Sequence, residues 1–271
     1  MGSNPRVEEP YDLSPGHTVM LGVDFQLGFG DGAWEHTPDA PAAVARFREA
    51  AASWRGAGGR VIMCREIYYP SDYPGADGEP LEDVVAHHPL MSGRDNAEFY
   101  PGLVEPEDLV MRKTGFSAVA AGNLLEILAE HRWDTVVMGG LTTPICVGTT
   151  SDDLSMAGLK VVILEDACAS QPFEGFSAED AHAFALARFR YLFGQTMTTT
   201  DFREFADGLP RPHGRRHPMR RAPVASEATP PGGKSRLGPW SVGTASSPAG
   251  NTLSSARSGN GRYVAAPKAA V

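Results

Sequence analysis

Short apolar runs recur along roughly the first 200 residues, each closed by a polar or charged residue. Thr18-Val-Met-Leu-Gly-Val23 ends at Asp24, and Arg60-Val-Ile-Met-Cys-Arg65 follows it. Asp108-Leu-Val-Met-Arg-Lys113 ends in its lysine, and Lys160-Val-Val-Ile-Leu164 ends at Glu165-Asp166. Such runs, apolar without alternation, are the pattern of strands buried on both faces. Between them Val44, Phe47, Ala51 and Trp54 fall close to one helical face, which predicts a helix over 42–54. Leu124, Leu125 and Leu128 predict the inward face of a helix over 122–131. Ser177 with Asp180 three residues on predicts a capped helix reaching Phe193. Thr196–Thr199 is a last β-prone run, and 201–206 a short closing helix. The stretch 68–101, aromatic and rich in proline and glycine, holds no sustained period and reads as a long functional excursion.

One further run, Thr135-Val-Val-Met-Gly-Gly-Leu-Thr-Thr-Pro-Ile-Cys-Val-Gly-Thr-Thr150, brings the count to six strands. Val136–Met138 predicts the strand, and Gly139 and Gly140 predict its break. Thr143 is a good N-cap and Pro144 suits the first helical position. Cys146 then falls in the first turn of a helix, at the carboxyl end of a buried strand. Unpaired N–H groups and the positive end of the helix dipole there favour thiolate over thiol. Taken alone, a cysteine is more often a small buried hydrophobe than a nucleophile.

Strands alternating with helices of these lengths predict an α/β domain over 18–207, a three-layer α/β/α sandwich with a six-stranded parallel sheet. Residues 1–17 form an N-terminal extension. In such a sheet every strand's carboxyl end lies along one edge, where ligands bind. Asp24, Lys113 and Cys146, distant along the chain, are therefore expected to face one crevice.

Charge and composition narrow the possible chemistry. Residues 208–271 hold ten lysines or arginines against one acid, Glu227, while the whole chain carries a formal −9, so the first 207 residues are strongly acidic. That balance argues against a nucleic-acid surface on the folded part. The basic tail, rich in Pro, Gly, Ser, Ala and Arg, reads as disordered. Three scattered cysteines, Cys64, Cys146 and Cys168, suggest a reducing compartment without a disulfide framework. No signal-peptide pattern or apolar membrane run is present, so a cytoplasmic protein with no membrane partner is expected. Phe25–Gly32 is glycine-rich but lacks the phosphate-binding spacings, which leaves nucleotide binding unsupported. His87-His88 are adjacent and have no Asp-x-His companion, so neither a metal nor a cofactor is expected.

Three segments, in order and correctly spaced, carry a family resemblance: Val23-Asp24-Phe25-Gln26, Lys113-Thr-Gly-Phe-Ser-Ala118 and Gly140-Leu-Thr-Thr-Pro-Ile-Cys-Val147. Thr150, Asp153, Gly158 and Asp166-Ala167 follow them. From about Val19 to Phe205 the chain resembles the isochorismatase-like hydrolase superfamily, which includes nicotinamidases and N-carbamoylsarcosine amidohydrolase. The resemblance implies a triad of Asp24 as general base and acid, Lys113 as charge stabiliser and Cys146 as nucleophile. It also implies a cis peptide at Leu141–Thr142 and an oxyanion hole from the Thr142 and Cys146 N–H groups. Nicotinamidases of this kind carry an Asp-x-His metal motif after the second strand; here that place reads Arg65-Glu-Ile-Tyr-Tyr69. Vinyl-ether-cleaving isochorismatases generally lack the cysteine. Cys146 therefore points to hydrolysis of a small amide or carbamoyl C–N bond through a thioester. Isochorismatase-type ether cleavage and a non-catalytic thiol sensor are the alternatives. Phe25, Gln26, Phe29, Trp34, Phe116 and Phe173 are candidate pocket residues. A homo-oligomer, dimer or tetramer, is expected from the family.

Overall fold

A computed structural model describes residues 9–30, 36–75 and 78–211. The expected tail lies outside the described residues from position 212 onward, as does Trp34. Six strands form one all-parallel sheet: β1 (Thr18–Val23), β2 (Arg60–Glu66), β3 (Leu109–Lys113), β4 (Thr135–Leu141), β5 (Lys160–Ala169) and β6 (Gln195–Met197), in the order β3-β2-β1-β4-β5-β6. Strand positions alternate between two cores. Met20, Val61, Met63 and Val137 face one, with Phe47 and Trp54 of α1 (Ala40–Gly56) and Phe202 of α6 (Thr199–Gly208). Val19, Leu21, Ile62, Val136 and Met138 face the other. There they meet Leu124 and Leu128 of α3 (Leu124–His131), Leu154 of α4 (Gly148–Met156), and Leu186 and Phe189 of α5 (Ala178–Leu192). Burying a side chain such as Phe47 stabilises the fold by about 3–5 kcal/mol relative to alanine.

Helices cover both faces, as an all-parallel sheet requires. The sheet grows from β1 to β3 in one direction and from β4 to β6 in the other, so its switch point lies between β1 and β4. A crevice at the carboxyl end of a parallel sheet opens at such a point.

Several local expectations change. Gly139 and Gly140 do not end β4, which runs on to Leu141. They are needed for close approach, since a Cβ on Gly140 would lie 2.3 Å from the Val23 carbonyl oxygen and one on Gly139 2.8 Å from that of Ala167. Ile127, not Leu125, is the third fully buried residue of α3. The excursion contains a six-residue helix, α2 (Glu82–His87), too short to reveal a period. The Ser177 cap is present, accepting from the Asp180 N–H at 3.0 Å. In the stretch expected to be an extension, Leu13 is buried and Tyr11 packs against the first core.

Candidate active site

Four adjacent strands, β3, β2, β1 and β4, deliver one residue each to the same sheet edge. Asp24 directly follows β1 with φ +50°, a left-handed conformation that aspartate tolerates better than most residues. Its N–H donates to the Cys64 carbonyl at 2.9 Å. Lys113 closes β3 and is fully buried. Cys146 lies in a π-helical turn, Thr143–Val147, that leads from β4 into α4, and is 2% exposed. Thr142, rather than Thr143, takes the N-cap position, without a side-chain capping bond. The Thr143 hydroxyl instead donates to the Ala169 carbonyl at 3.0 Å and meets His182 Nδ1 at 2.8 Å. The Leu141–Thr142 peptide is cis.

The side chains converge. Lys113 Nζ stands 2.7 Å from Asp24 Oδ2 and donates to Cys146 Sγ at 3.6 Å and to the Gly115 carbonyl at 2.6 Å. The Asp24 contact is ionic, outside hydrogen-bonding angles. A fourth group, unassigned from the sequence, joins them: Glu66, the last residue of β2, accepts from Lys113 Nζ at 3.0 Å. Ligand atoms of Asp24, Glu66 and Cys146 all lie within 4.8 Å of one another, close enough to hold a metal ion. The Lys113 ammonium stands among them and already brings a positive charge.

Burial pushes the Asp24 carboxyl up to about 6, with Lys113 offsetting part of the effect. Burial also raises the Cys146 thiol well above its ordinary value, and the Asp24 charge adds to it. The expected thiolate is opposed chiefly by burial and then by the Asp24 charge, while Lys113 acts in the expected direction and lowers the thiol only in part. Burial alone would favour neutral lysine, but the charges of Asp24 and Glu66 outweigh it and hold Lys113 protonated.

The remaining signature residues fasten the lysine segment to the nucleophile helix. Thr150 Oγ1 accepts from the Ala118 N–H at 3.0 Å, and Asp153 accepts from the Ser117 hydroxyl at 2.5 Å. Asp166 accepts from the N–H and the hydroxyl of Thr199 at the start of α6.

The candidate pocket residues separate. Phe25 and Phe29 lie in the first core, the Phe25 ring tilted 45° against Phe47 with centroids 4.7 Å apart. Gln26 is fully buried, and its amide donates to the carbonyls of Glu66 and Ala97, both at 2.9 Å, while accepting from the Glu66 N–H at 2.8 Å. Its polar atoms are thus turned to backbone rather than to a ligand. Phe116 and Phe173 are 62% and 39% exposed. His88 packs on Tyr68 and Tyr73, and His87 Nδ1 meets the Asp83 carbonyl. A cavity of about 620 Å³ opens on the neighbouring β5–α5 side, lined among others by Arg46, Asp166, Cys168, His182 and Arg190; Asp24, Lys113 and Cys146 do not line it.

Among known proteins, the family described as the isochorismatase domain matches residues 18–201. YrdC of Bacillus subtilis (strain 168), an uncharacterized isochorismatase family protein, is 28% identical over 188 residues, 67% of this chain and 91% of its own length. Ureidoacrylate amidohydrolase RutB of Methylobacterium radiotolerans is 27% identical over 227 residues, 76% of this chain and 85% of its own. A solved cysteine hydrolase from Pseudomonas syringae pv. phaseolicola 1448A is similar with a TM-score of 0.63 and 25% identity, over 76% of this chain and 100% of that one. No helix among the described residues is long and apolar enough to cross a membrane.

Proposed function

The chain belongs to the isochorismatase family of hydrolases, and on that premise we propose that it hydrolyses a C–N bond of a small non-peptide amide or carbamoyl compound through Cys146. One observation carries the reading: Lys113 Nζ reaches Asp24 at 2.7 Å and Cys146 Sγ at 3.6 Å within one buried cluster at the switch point of the sheet. An acid, an amine and a sulfur so placed form an activated-nucleophile arrangement.

Asp24 removes the proton from Cys146 as the sulfur attacks the substrate carbonyl carbon. The carbonyl oxygen becomes an oxyanion, received by the N–H groups of Thr142 and Cys146; one such donor contributes about 10²–10³ in kcat. Asp24 then returns the proton to the nitrogen, the C–N bond breaks, and ammonia or an amine leaves a thioester behind. Water gives a proton to Asp24 and attacks the thioester, releasing the acid and regenerating the thiol. A positioned proton carrier of this kind contributes about 10²–10⁴ in rate, and a carboxyl held near neutrality is suited to both halves of its task.

Asp24 and Glu66 together leave one carboxylate in excess over Lys113. That balance favours a neutral carboxamide or urea over an anionic substrate. The amidohydrolase and cysteine hydrolase relatives support the same direction. In the experiment, purified protein is offered a panel of small amides and ureido compounds and ammonia release is measured. Cys146→Ala is expected to abolish release while keeping the circular dichroism spectrum. Undiminished turnover in that variant refutes the mechanism, and activity surviving Cys146→Ala but lost in Asp24→Ala points instead to ether hydrolysis.

A further inference from the structure

We propose that Glu66 is a positioning residue of this site: clamped by Gln26 and Tyr68, it fixes the Lys113 ammonium and holds Cys146 in its thiol form at rest. The inference deepens the hydrolase reading and rests on it for the role of Cys146.

Glu66 is held from every side. Its register partner across the β2–β3 pair is Lys113 itself, so strand pairing sets the two side by side. Its N–H donates to Gln26 Oε1 at 2.8 Å, and its carbonyl accepts from Gln26 Nε2 at 2.9 Å. Of its carboxylate oxygens, Oε2 accepts from Lys113 Nζ at 3.0 Å and Oε1 accepts from the Tyr68 hydroxyl at 2.8 Å. A buried amide makes two of its three hydrogen bonds to a neighbour's backbone, the third going to the Ala97 carbonyl, and a tyrosine is directed at that neighbour's other carboxylate oxygen. That is more than burial of a strand end requires. Gln26 follows the strand that ends at Asp24, and Tyr68 begins the excursion, so Glu66 also ties that excursion to the reacting groups.

The electrostatic consequence follows from the charges present. Facing the sulfur are Asp24 just after β1, Glu66 from β2 and Lys113 from β3; Cys64 from β2 neighbours those three charges, and Tyr68, Tyr73 and His88 flank Glu66 from the excursion. Burial and the Asp24 charge already disfavour thiolate, and Glu66 adds to them. With two carboxylates present, a thiolate would be the third anion around one cation. The sulfur therefore stays protonated until Asp24 takes its proton, and thiol is the form less open to oxidation.

The test reads the sulfur directly and needs no substrate, so its failure is distinguishable from failure of the amide panel. Iodoacetamide alkylation of Cys146 is followed at pH 8 by mass spectrometry, with Cys146→Ala as the mapping control. Removing a unit charge within 4.8 Å of the sulfur at an effective permittivity of about 20 removes about 3.5 kcal/mol, and with about half recovered by relaxation and water the thiol pKa falls by about 1–2 units. Because the less basic thiolate is also less nucleophilic, Glu66→Gln is expected to label about 3–10-fold faster. Glu66→Asp keeps the charge and is expected to stay within about twofold of the wild-type rate. An unchanged or slower rate in Glu66→Gln, or equal acceleration in both variants, overturns the proposal. Should Glu66→Gln fail to fold, Tyr68→Phe carries the test. It removes a donor that offsets part of the Glu66 charge, so labelling must slow, and an unmoved or faster rate overturns the proposal.

Discussion

Replacing Lys113 by methionine removes the ammonium that lies among Asp24, Glu66 and Cys146, and the effect can be worked from the geometry. Asp24 is useful as a base only when ionised. Its carboxyl titrates near about 6 in the intact site, so kcat/KM should climb with pH up to about 6 and level off above it. At a separation of 2.7 Å and an effective permittivity of about 20, the Lys113–Asp24 attraction is of order 6 kcal/mol. If relaxation and water recover about half, roughly 3 kcal/mol remains, which is about two pH units on Asp24. The acidic limb then moves from about 6 to about 8. At pH 7 the ionised fraction falls from about nine-tenths to about one-tenth, a tenfold loss from protonation alone.

The assay is ammonia release from a substrate found in the amide panel, with kcat/KM measured between pH 5 and 10, since that ratio reports the free enzyme's groups. Raising the pH to about 9.5 must restore the protonation part of the loss in the methionine variant. Lys113→Arg, which keeps the charge, should retain a limb near the wild-type one. A limb that stays near 6 in Lys113→Met, or a loss independent of pH, would refute the reasoning. Removing one partner of a buried ion pair costs about 3–5 kcal/mol of stability, so urea unfolding of both variants accompanies the kinetics.

Two shorter predictions concern an ion pair away from the site and the resting state of the sulfur. Arg55 grips Asp108 through Nε at 3.0 Å and Nη2 at 2.6 Å, with both side chains nearly buried, linking α1 to the approach of β3. Asp108→Ala is expected to cost about 3–5 kcal/mol in urea without moving the pH limb; a loss below about 1 kcal/mol, or a shifted limb, contradicts this. Wild-type Cys146, buried and held as a thiol, should react with iodoacetamide at pH 7 more slowly than free cysteine, and faster labelling would show that the resting form is thiolate instead.

The sheet was legible because its signal is local. Apolar runs such as Val136–Met138 cannot be solvated, and the helix containing Phe47 and Trp54 shows its period directly. The failures share a cause of the opposite kind. Gly139 and Gly140 look like strand breakers by propensity, yet what they serve is contact with Ala167 and Val23, which lie elsewhere in the chain. Thr143 looks like a cap, but its hydroxyl is claimed by Ala169 and His182. Aromatics in loops carry no period, so nothing local separates exposed Phe116 from the buried Phe25.

Glu66 is the instructive omission, because the rule that singled out Asp24 applies to it equally. Both are acids closing an apolar strand at the ligand-binding edge of a parallel sheet. Read against a metal motif, Glu66 registered only as a departure from it. What the strand-end rule lacks is register: it says which edge a residue reaches, not which neighbour it meets. Pairing of Glu66 with Lys113 across β2 and β3 supplies that, and turns a buried charge needing a partner into one that has it. A buried lysine at the end of a parallel strand therefore calls for a count of acids on the adjacent strand ends as well as at the motif. Burial and Asp24 already hold the sulfur toward thiol, and the second acid, sharing the same lysine, adds to that hold.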